Sequence, residues 1–157
     1  MLKIDDQAPD FSLPDQSGRR HSLLDYSGRY LLIYFYPKDN TSGCTVEACS
    51  FRDAFPDFLT DNFAVLGVSA DSVESHVKFA QKLNLPFPLL ADTEKKMINN
   101  FGVWREKNMM GKKYMGIVRA SFLIDPQGKI AKIYDPVKPE VHAQEVLDDV
   151  HKLSSKD

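Results

Sequence analysis

The amino-acid sequence predicts a layered α/β domain with a mixed β-sheet, and three patterns carry that prediction. Two runs, residues 30–36 and Phe63–Ser69, are largely apolar or aromatic at consecutive positions, which is typical of strands covered on both faces. Stretches with apolar residues at helical spacing alternate with these strands. Two further strands joined by a tight turn at 125–128 make the sheet mixed. The length of 157 residues suits one domain over 1–157.

The first buried strand follows an N-terminal extension. Residues 1–29 read as short extended pieces, with a cluster of turn-forming residues at 15–18. Residues 30–36 form the strand, and Pro37 ends it because proline has no backbone N–H to donate. A polar loop over 38–43 then leads into the first helix.

A helix is predicted from about Cys44, because apolar residues recur there at spacings of three and four. Pro56 is expected to kink this helix or to divide it into two pieces, since its ring clashes with the preceding turn. The predicted apolar stripe consists of Cys44, Ala48, Phe51, Phe55 and Phe58.

The middle of the chain continues the alternation of strand and helix. Phe63–Ser69 is the second buried strand, and Asp71 with Glu74 resembles a capping box at the start of the next helix. That helix has a stripe of Val73, Val77 and Ala80, and it is followed by a strand at 87–90 and a helix at 93–101 that Gly102 ends.

The last third of the chain is predicted to begin with a polar loop at 105–116, rich in lysine and methionine. Residues 117–124 and 129–134 form two hairpin strands, and a final helix starts at about Pro139. Its expected buried residues are Ala143, Val146, Leu147 and Val150. This order of elements suits a thioredoxin-like sheet, although the pattern alone does not distinguish it from other small α/β folds.

Composition excludes several classes of function. Twenty basic residues against twenty-two acidic ones give a net charge of −2, whereas nucleic-acid-binding domains usually carry a basic excess. No apolar run approaches the ~18 residues of a membrane span, and residues 1–7 lack the regions of a signal peptide. We therefore expect a cytoplasmic protein without nucleic-acid or membrane partners. The four histidines (His21, His76, His142 and His151) have no metal-ligand spacing, so neither a metal site nor a cofactor is expected.

Cys44 is the main candidate for chemistry. It stands where a strand and a loop give way to a helix, and the first amides of a helix have no intrahelical partners. That position favours a thiolate over a thiol. Thr41 and Gly43 give the loop a hydroxyl group and a flexible backbone. A buried cysteine without chemistry remains the alternative interpretation of Cys44.

Cys49 lies five residues after Cys44 in the sequence. In an intact helix their Cα atoms would be roughly 8.6 Å apart, from a rise of ~7.5 Å and a chord of ~4.3 Å. A disulfide needs less than about 7 Å between Cα atoms. A bridge between these cysteines would therefore require the start of the helix to unwind. Taken alone, Cys49 is more often a small buried apolar residue than a redox group.

Arg119 stands out because the residues around it are mainly apolar. A buried arginine must be paired or must face a polar site. One interpretation is an edge position or a structural ion pair. The other is a cation directed at Cys44, where it would stabilise the thiolate and the charge that develops on a substrate oxygen.

Several separated motifs resemble those of the peroxiredoxins, and in particular the bacterioferritin comigratory protein (PrxQ) subfamily. The pattern Pro37-x-x-x-Thr41-x-x-Cys44 is similar to the active-site motif of that family. The same holds for Gly43-Cys-Thr-x-Glu-Ala-Cys49 and for Arg119-x-Ser-Phe-Leu-Ile-Asp125. The similarity covers nearly the whole chain, and the motifs occur in the family's order and spacing.

The resemblance implies a thioredoxin-like fold and thiol-dependent reduction of hydrogen peroxide and organic hydroperoxides. Cys44 would be the peroxidatic cysteine, and Cys49 would resolve its sulfenic acid as an intramolecular disulfide. A dithiol donor, thioredoxin or a glutaredoxin-type protein, would restore both thiols. Supporting roles are also implied: Thr41 and Arg119 would bind and polarise the peroxide, Gly43 would belong to the active-site loop, Pro37 would shield the site, and Glu47 would orient an arginine.

Two residues depart from the family pattern. Ser42 stands where the subfamily often has proline, and Arg105 stands where a smaller residue is expected. Neither removes a catalytic group. Because both cysteines fall in one predicted helix, no second subunit is needed for the disulfide, and a monomer is expected.

Two rival functions stay open on the residues alone. A thiol–disulfide oxidoreductase usually carries Cys-x-x-Cys, which is absent from this sequence. A binding or holdase role on the same fold would need no reactive thiol. The basic segment 105–113 is interpreted as a solvated loop, with a docking surface as the alternative.

Overall fold

The computed structural model describes residues 1–154, and residue 154 is described by its backbone alone. A five-stranded sheet forms the centre, with two small two-stranded sheets beside it. The strands are β1 (Ser12–Pro14), β2 (Arg20–Ser22), β3 (Tyr30–Phe35), β4 (Phe63–Ser69), β5 (Leu89–Ala91), β6 (Trp104–Met109), β7 (Lys112–Ile117), β8 (Ala120–Ile124) and β9 (Ile130–Tyr134). The helices are α1 (Ser42–Thr60), α2 (Val73–Leu83), α3 (Lys96–Asn100) and α4 (His142–Ser154), with a 3-10 helix at Leu23–Tyr26.

The central sheet has the strand order β5-β4-β3-β8-β9. Strand β3 pairs in parallel with β4 and antiparallel with β8, and β4 pairs in parallel with β5. The sheet is therefore mixed, as the sequence predicts. Phe35 at the end of β3 lies opposite Val68 on one side and Ala120 on the other. This register brings the chain after β3 and the chain before β8 to the same end of the sheet.

Two apolar cores cover the two faces of the sheet. Successive side chains of a strand point to opposite faces, and β3 divides accordingly: Leu32 and Tyr34 belong to one core, while Ile33 and Phe35 belong to the other. Helices α1, α2 and α4 cover the first face. The second face is covered by α3 and the N-terminal segment. The apolar and aromatic composition of β3 is thus explained by burial on both sides.

Helix α1 is continuous through Pro56, contrary to the predicted division. A proline inside a helix removes one backbone hydrogen bond, but the apolar stripe holds this helix on the sheet on both sides of the proline. Phe51 stacks on Tyr34 with ring centroids 4.8 Å apart, and Phe58 stacks on Phe63 at 5.2 Å. The helix also begins at Ser42, two residues before the predicted start.

The predicted polar loop at 105–116 is wrong, because this segment folds as the β6–β7 hairpin. Its turn has Met110 at φ +53° and Gly111 at φ +83°, which is the geometry of a two-residue hairpin turn. Most of its residues are exposed, so the sequence lacks the alternation of buried and exposed residues that marks a strand.

The predicted strand over 117–124 is also corrected. It is broken at Val118 and Arg119, which separate β7 from β8. Arg119 therefore lies in the short segment between two strands and not inside a strand. This break frees its side chain to turn toward α1.

Smaller corrections concern the ends of elements. The N-cap of α2 is Ser72, whose hydroxyl accepts a hydrogen bond from the amide of Ser75, and the expected capping box of Asp71 and Glu74 does not form. Asp71 instead accepts from Ser69. Strand β5 lies one to two residues later than predicted, α3 begins later and is shorter, and α4 begins at His142 rather than at Pro139. The predicted buried face of α4 is confirmed.

The predicted N-terminal extension contains the β1–β2 hairpin and the 3-10 helix. Within residues 1–154, no helix has both the length and the apolar character that crossing a membrane requires.

Candidate active site

Cys44 lies in the first turn of α1, close to the carboxyl end of β3. Thr41 is the N-cap residue, and its carbonyl accepts the amide hydrogen of Thr45. Only 1% of the surface of Cys44 is exposed. The positive end of the helix dipole therefore acts on a sulfur that water barely reaches.

Arg119 contacts this sulfur directly. Its Nη2 lies 3.4 Å from Sγ of Cys44, within hydrogen-bond distance for a sulfur acceptor. Its Nη1 donates to Oε1 of Glu47 at 2.8 Å. One guanidinium group thus joins a thiol and a carboxyl on the same helix. The fork of donors on arginine suits this double contact, which a single ammonium could not make with the same geometry.

Glu47 is fully buried, and this burial raises its pKa to about 7 from an ordinary 4.5. The charge of Arg119 acts in the opposite direction, and so does its hydrogen bond. The second carboxyl oxygen of Glu47, Oε2, has no hydrogen-bond partner among the described residues. The carboxyl group therefore holds Arg119 through one oxygen and is poised between its protonated and ionised forms near neutral pH.

Gly43 makes room for Arg119. A Cβ atom at this position would lie 3.0 Å from Nη2 of Arg119 and 4.0 Å from Cγ of Pro139. A side chain here would crowd the guanidinium group beside Cys44, which would have to give by a few tenths of an ångström. The arginine therefore occupies the space that favours glycine at this position.

The two remaining predicted residues lie in the segment between β3 and α1. Pro37 lies two residues after the end of β3 and is half-buried. Thr41 is exposed, and its hydroxyl donates to the carbonyl oxygen of Lys38 at 2.9 Å. The structure thus brings Arg119 into contact with both Glu47 and Cys44, and it places Gly43 beside the guanidinium group. It places Thr41 and Pro37 on the loop that leads to this group.

Cys49 lies on the same helix and is half-buried. Both cysteines are free thiols, and the helix between them is intact. The geometry is therefore that of a reduced state in which a bridge between the two sulfurs would first require the helix to open.

Lys107 is a residue of the site's surroundings that sequence reasoning did not single out. Its Nζ donates to the carbonyl oxygen of Ile117 at 3.0 Å, two residues before Arg119. Burial lowers its pKa, and the charge of Arg119 lowers it further, whereas Cys44 acts in the opposite direction. The β6–β7 hairpin brings this lysine toward the site, so the signal was hidden by the interpretation of this segment as a loop.

Comparisons with known proteins agree along the whole chain. The sequence model described as the AhpC/TSA family matches residues 4–133. The chain is 46% identical over 155 residues to a Bacillus subtilis protein called peroxiredoxin Bcp, with 99% of each chain covered. It is 48% identical over 146 residues to the peroxiredoxin Bcp of Escherichia coli K12, covering 93% of this chain and 94% of that one.

Solved structures give the same result. A structure of the Xanthomonas campestris bacterioferritin comigratory protein, from work on its alkyl peroxide reduction, superposes with a TM-score of 0.90 at 37% identity. A mutant of PrxQ from Xylella fastidiosa superposes with a TM-score of 0.93 at 36% identity. Each comparison covers 98% of both chains. The predicted thioredoxin-like fold is thereby confirmed.

Proposed function

This chain belongs to the AhpC/TSA family and is a peroxiredoxin of the Bcp/PrxQ group, a thiol-dependent peroxidase, and we propose that its reaction begins at Cys44. The observation that carries this proposal is the contact of 3.4 Å between Sγ of Cys44 and Nη2 of Arg119. A cation at that distance, together with the helix N-terminus, favours the thiolate that attacks peroxide. Hydrogen peroxide and organic hydroperoxides are the proposed substrates, in line with alkyl peroxide reduction by the Xanthomonas relative.

In the first step the thiolate of Cys44 attacks one peroxide oxygen and the O–O bond breaks. The sulfur becomes a sulfenic acid, and the second oxygen leaves with a proton as water or an alcohol. Negative charge moves from sulfur to the leaving oxygen. Arg119, held by Glu47, is proposed to stabilise both ends of this movement, and Thr41 with the loop amides is proposed to orient the peroxide. Gly43 leaves space for the arginine, and Pro37 shields the site.

In the second step Cys49 is proposed to condense with the sulfenic acid. An S–S bond forms, the S–O bond breaks, and water leaves. Helix α1 must unwind over its first turns for the two sulfurs to meet, because five residues of helix separate the Cα atoms by more than a disulfide spans.

In the last step a dithiol protein is proposed to reduce the bridge by thiol–disulfide exchange. Thioredoxin is the first candidate and a glutaredoxin-type donor the second. We further propose that the protein acts in the cytoplasm and as a monomer, since the two cysteines of one helix can form the bridge without a second subunit.

Intact mass tests the cysteine roles. One equivalent of hydrogen peroxide is added to the reduced protein, and the mass is read within seconds. A monomer lighter by ~2 Da indicates the internal disulfide, while a gain of ~16 Da indicates a sulfenic acid that Cys49 does not resolve. An unchanged mass would contradict the proposed role of Cys44.

Two cysteine variants serve as controls. Cys49→Ser should stop at the sulfenic acid and gain ~16 Da, whereas Cys44→Ser should not react. If peroxide consumption survives Cys44→Ser, the assignment of the reactive thiol is wrong, and a binding or holdase role gains weight. Reduction of protein disulfides in the absence of peroxide would instead favour the thiol–disulfide oxidoreductase.

A further inference from the structure

A buried polar cluster lies directly beside the active-site loop, and the peroxidase reaction as described above does not use it. Its centre is Asp39, which is 5% exposed, and His76 of α2, which is fully buried. Tyr36, the residue after β3, and Ser75, near the start of α2, complete it. Burying this many polar groups is unfavourable unless each of them has a hydrogen-bond partner.

The carboxyl group of Asp39 has three side-chain partners, and two of them are hydroxyl groups that donate to it. The Tyr36 hydroxyl donates to Oδ1 at 2.6 Å, the Ser75 hydroxyl donates to Oδ2 at 2.8 Å, and Nδ1 of His76 lies 2.6 Å from Oδ2. Hydrogen bonds of this kind favour the charged form of a carboxyl group. Asp39 is therefore assigned as an ionised carboxylate.

The ring of His76 has an acceptor at each nitrogen. Nε2 lies 3.0 Å from the carbonyl oxygen of Leu90, and a carbonyl oxygen can only accept, so Nε2 must carry a hydrogen. Nδ1 faces the carboxylate of Asp39 and must carry a hydrogen as well. The ring is then an imidazolium, and its charge balances that of Asp39 inside the protein.

The same cluster offers a metal-like arrangement, but its hydrogen bonds argue against that use. Ligand atoms of Asp39, Asp71 and His76 lie within 4.8 Å of one another. Oδ2 of Asp71, however, already accepts hydrogen bonds from the Ser69 hydroxyl and from the amide of Asp39. An imidazolium has no free lone pair for a metal ion. The cluster is satisfied without an ion.

We propose that the buried ion pair of Asp39 and His76 positions the loop 37–41 for the reaction with peroxide. The loop is bound to α2 by its side chain at Asp39 and, through the amide of the same residue, to Asp71. Thr41, the N-cap of α1, comes two residues later. Asp39 and His76 are thus positioning residues that act through Thr41 and the loop amides. This inference rests on the proposed function of Cys44 and Thr41.

The ion pair of Asp39 and His76 also holds the loop 37–41 independently of α1. The loop is held by α2, while Cys44 belongs to α1, so α1 can unwind for the disulfide without releasing the loop at Asp39. A peroxide-binding loop that keeps its place is ready again as soon as α1 reforms. Misplacing a reacting group by about 1 Å can slow a reaction ~100-fold. Loss of the ion pair of Asp39 and His76 should slow the reaction with peroxide by up to that factor.

The charge state is tested first by nitrogen-15 NMR of the histidine rings in the wild-type protein at neutral pH. The proposal requires that both ring nitrogens of His76 carry hydrogen, and a His76→Gln spectrum assigns the signals. A ring with one protonated nitrogen would overturn the ion pair. This measurement does not depend on activity, so it stands whatever becomes of the proposed function.

The positioning role is tested with Asp39→Asn, which keeps the shape of the side chain and removes its charge. Stopped-flow measurements should show Cys44 reacting with hydrogen peroxide about 10- to 100-fold more slowly. Alkylation of Cys44 by iodoacetamide should stay within about twofold of wild type, because it needs the thiolate but not the oriented peroxide. A general loosening of the fold would instead speed alkylation, since Cys44 is buried.

Lys82→Met is the matched control. Lys82 also binds the loop, from Nζ to Oδ1 of Asn40 at 2.8 Å, but at the exposed surface. This variant should keep the wild-type rate with peroxide within about twofold, as exposed polar contacts contribute little. Wild-type reactivity of Asp39→Asn toward peroxide would overturn the positioning role.

Two milder variants cover the case in which Asp39→Asn does not fold. Tyr36→Phe and Ser75→Ala each remove one donor to the Asp39 carboxylate and should slow the peroxide reaction about fivefold, for the loss of roughly 1 kcal/mol of hydrogen bonding. Wild-type rates in both would also overturn the positioning role. A wild-type protein whose Cys44 ignores peroxide would refute the proposed function instead, and the NMR result would still decide the ion pair.

Discussion

The sulfur of Cys44 and the guanidinium group of Arg119 meet across 3.4 Å although 75 positions separate them in the sequence. The contact joins the start of α1 to the break between β7 and β8. It exists because β3 pairs antiparallel with β8, so that the chain after β3 and the chain before β8 lie side by side. The electrostatics of the candidate site therefore depend on the topology of the sheet.

Arg119→Ala should slow the reaction of Cys44 with hydrogen peroxide by about two orders of magnitude, because a donor directed at developing charge contributes roughly 3 kcal/mol. The thiolate content of Cys44, followed by ultraviolet absorbance during a pH titration, should change much less when both effects are expressed as free energies. Equal losses in the two measurements would mean that Arg119 acts only on the ground-state thiolate.

Arg105→Ala is the matched control for that variant. Arg105 is also a half-buried arginine in an ion pair, with Asp135 at 2.7 Å, and it lies on β6. Its removal should leave the peroxide rate of Cys44 within about twofold of wild type, as expected for a partly exposed pair. A large loss of the peroxide rate in Arg105→Ala would show that the effect is not specific to Arg119 and its contact with Cys44.

Glu47 should make the stability of the protein depend on pH. Its pKa is about 7 in the folded protein, against an ordinary value of 4.5 for a glutamate in an unfolded chain. The folded chain therefore binds this proton more tightly than the unfolded chain does. The free energy of unfolding should therefore decrease as pH rises from about 4.5 to about 7, by roughly 3 kcal/mol from this group. Glu47→Gln should lack this decrease.

Urea unfolding of wild type and Glu47→Gln at about pH 5 and about pH 8 measures the difference. Other titrating groups contribute nearly equally to both proteins, so the gap between the two curves isolates Glu47. Parallel pH dependence in the two proteins would show that Glu47 is ionised at both pH values.

Lys107→Met should slow the peroxide reaction about fivefold, for the loss of roughly 1 kcal/mol. The methionine cannot donate to the carbonyl oxygen of Ile117, which fixes the chain just before Arg119. Lys112→Met, on the exposed strand of the same hairpin, makes the same chemical change away from that carbonyl and should react like wild type. Similar losses in both variants would point to the overall charge of the hairpin.

Phe51→Ala should lower the free energy of unfolding by about 3–5 kcal/mol, as for other fully buried aromatic residues. Phe51 stacks on Tyr34 and meets the ring of His142 edge-on at 5.6 Å. Leu59→Ala, on the exposed side of the same helix, should change it by less than about 1 kcal/mol. Chemical denaturation of the two variants provides the comparison, and a small effect of Phe51→Ala would mean that the core refills the space.

Buried elements could be predicted from the sequence because burial leaves a local signature. Strand β4 was predicted at its observed residues, and the stripe of α1 from Cys44 to Phe58 was correct except for the division at Pro56. The β6–β7 hairpin could not be found in this way. Both of its faces are largely exposed, and its strands are held by backbone pairing that places little constraint on side chains.

The site was predictable only in part. Cys44, with its place at the start of a helix, could be recognised from its neighbours, and Arg119 stood out as a charge among apolar residues. The family resemblance implied that Glu47 orients an arginine but did not identify that arginine as Arg119. The contact of Lys107 with the chain before Arg119 and the pair Asp39–His76 could not be predicted. These contacts join residues 10 to 75 positions apart, and local spacing carries no information about them.

In the proposed mechanism, the intact helix between Cys44 and Cys49 also imposes a delay before the disulfide can form. After the first peroxide has reacted, the sulfenic acid must wait until the opening turns of α1 come apart, and during that wait a second peroxide can carry it to a sulfinic acid, which simple thiols do not reverse. The stability of those turns thus sets the peroxide concentration at which oxidation to the sulfinic acid begins to inactivate the protein. Substitutions that stiffen them would make it fail at lower doses, even with every catalytic group in place.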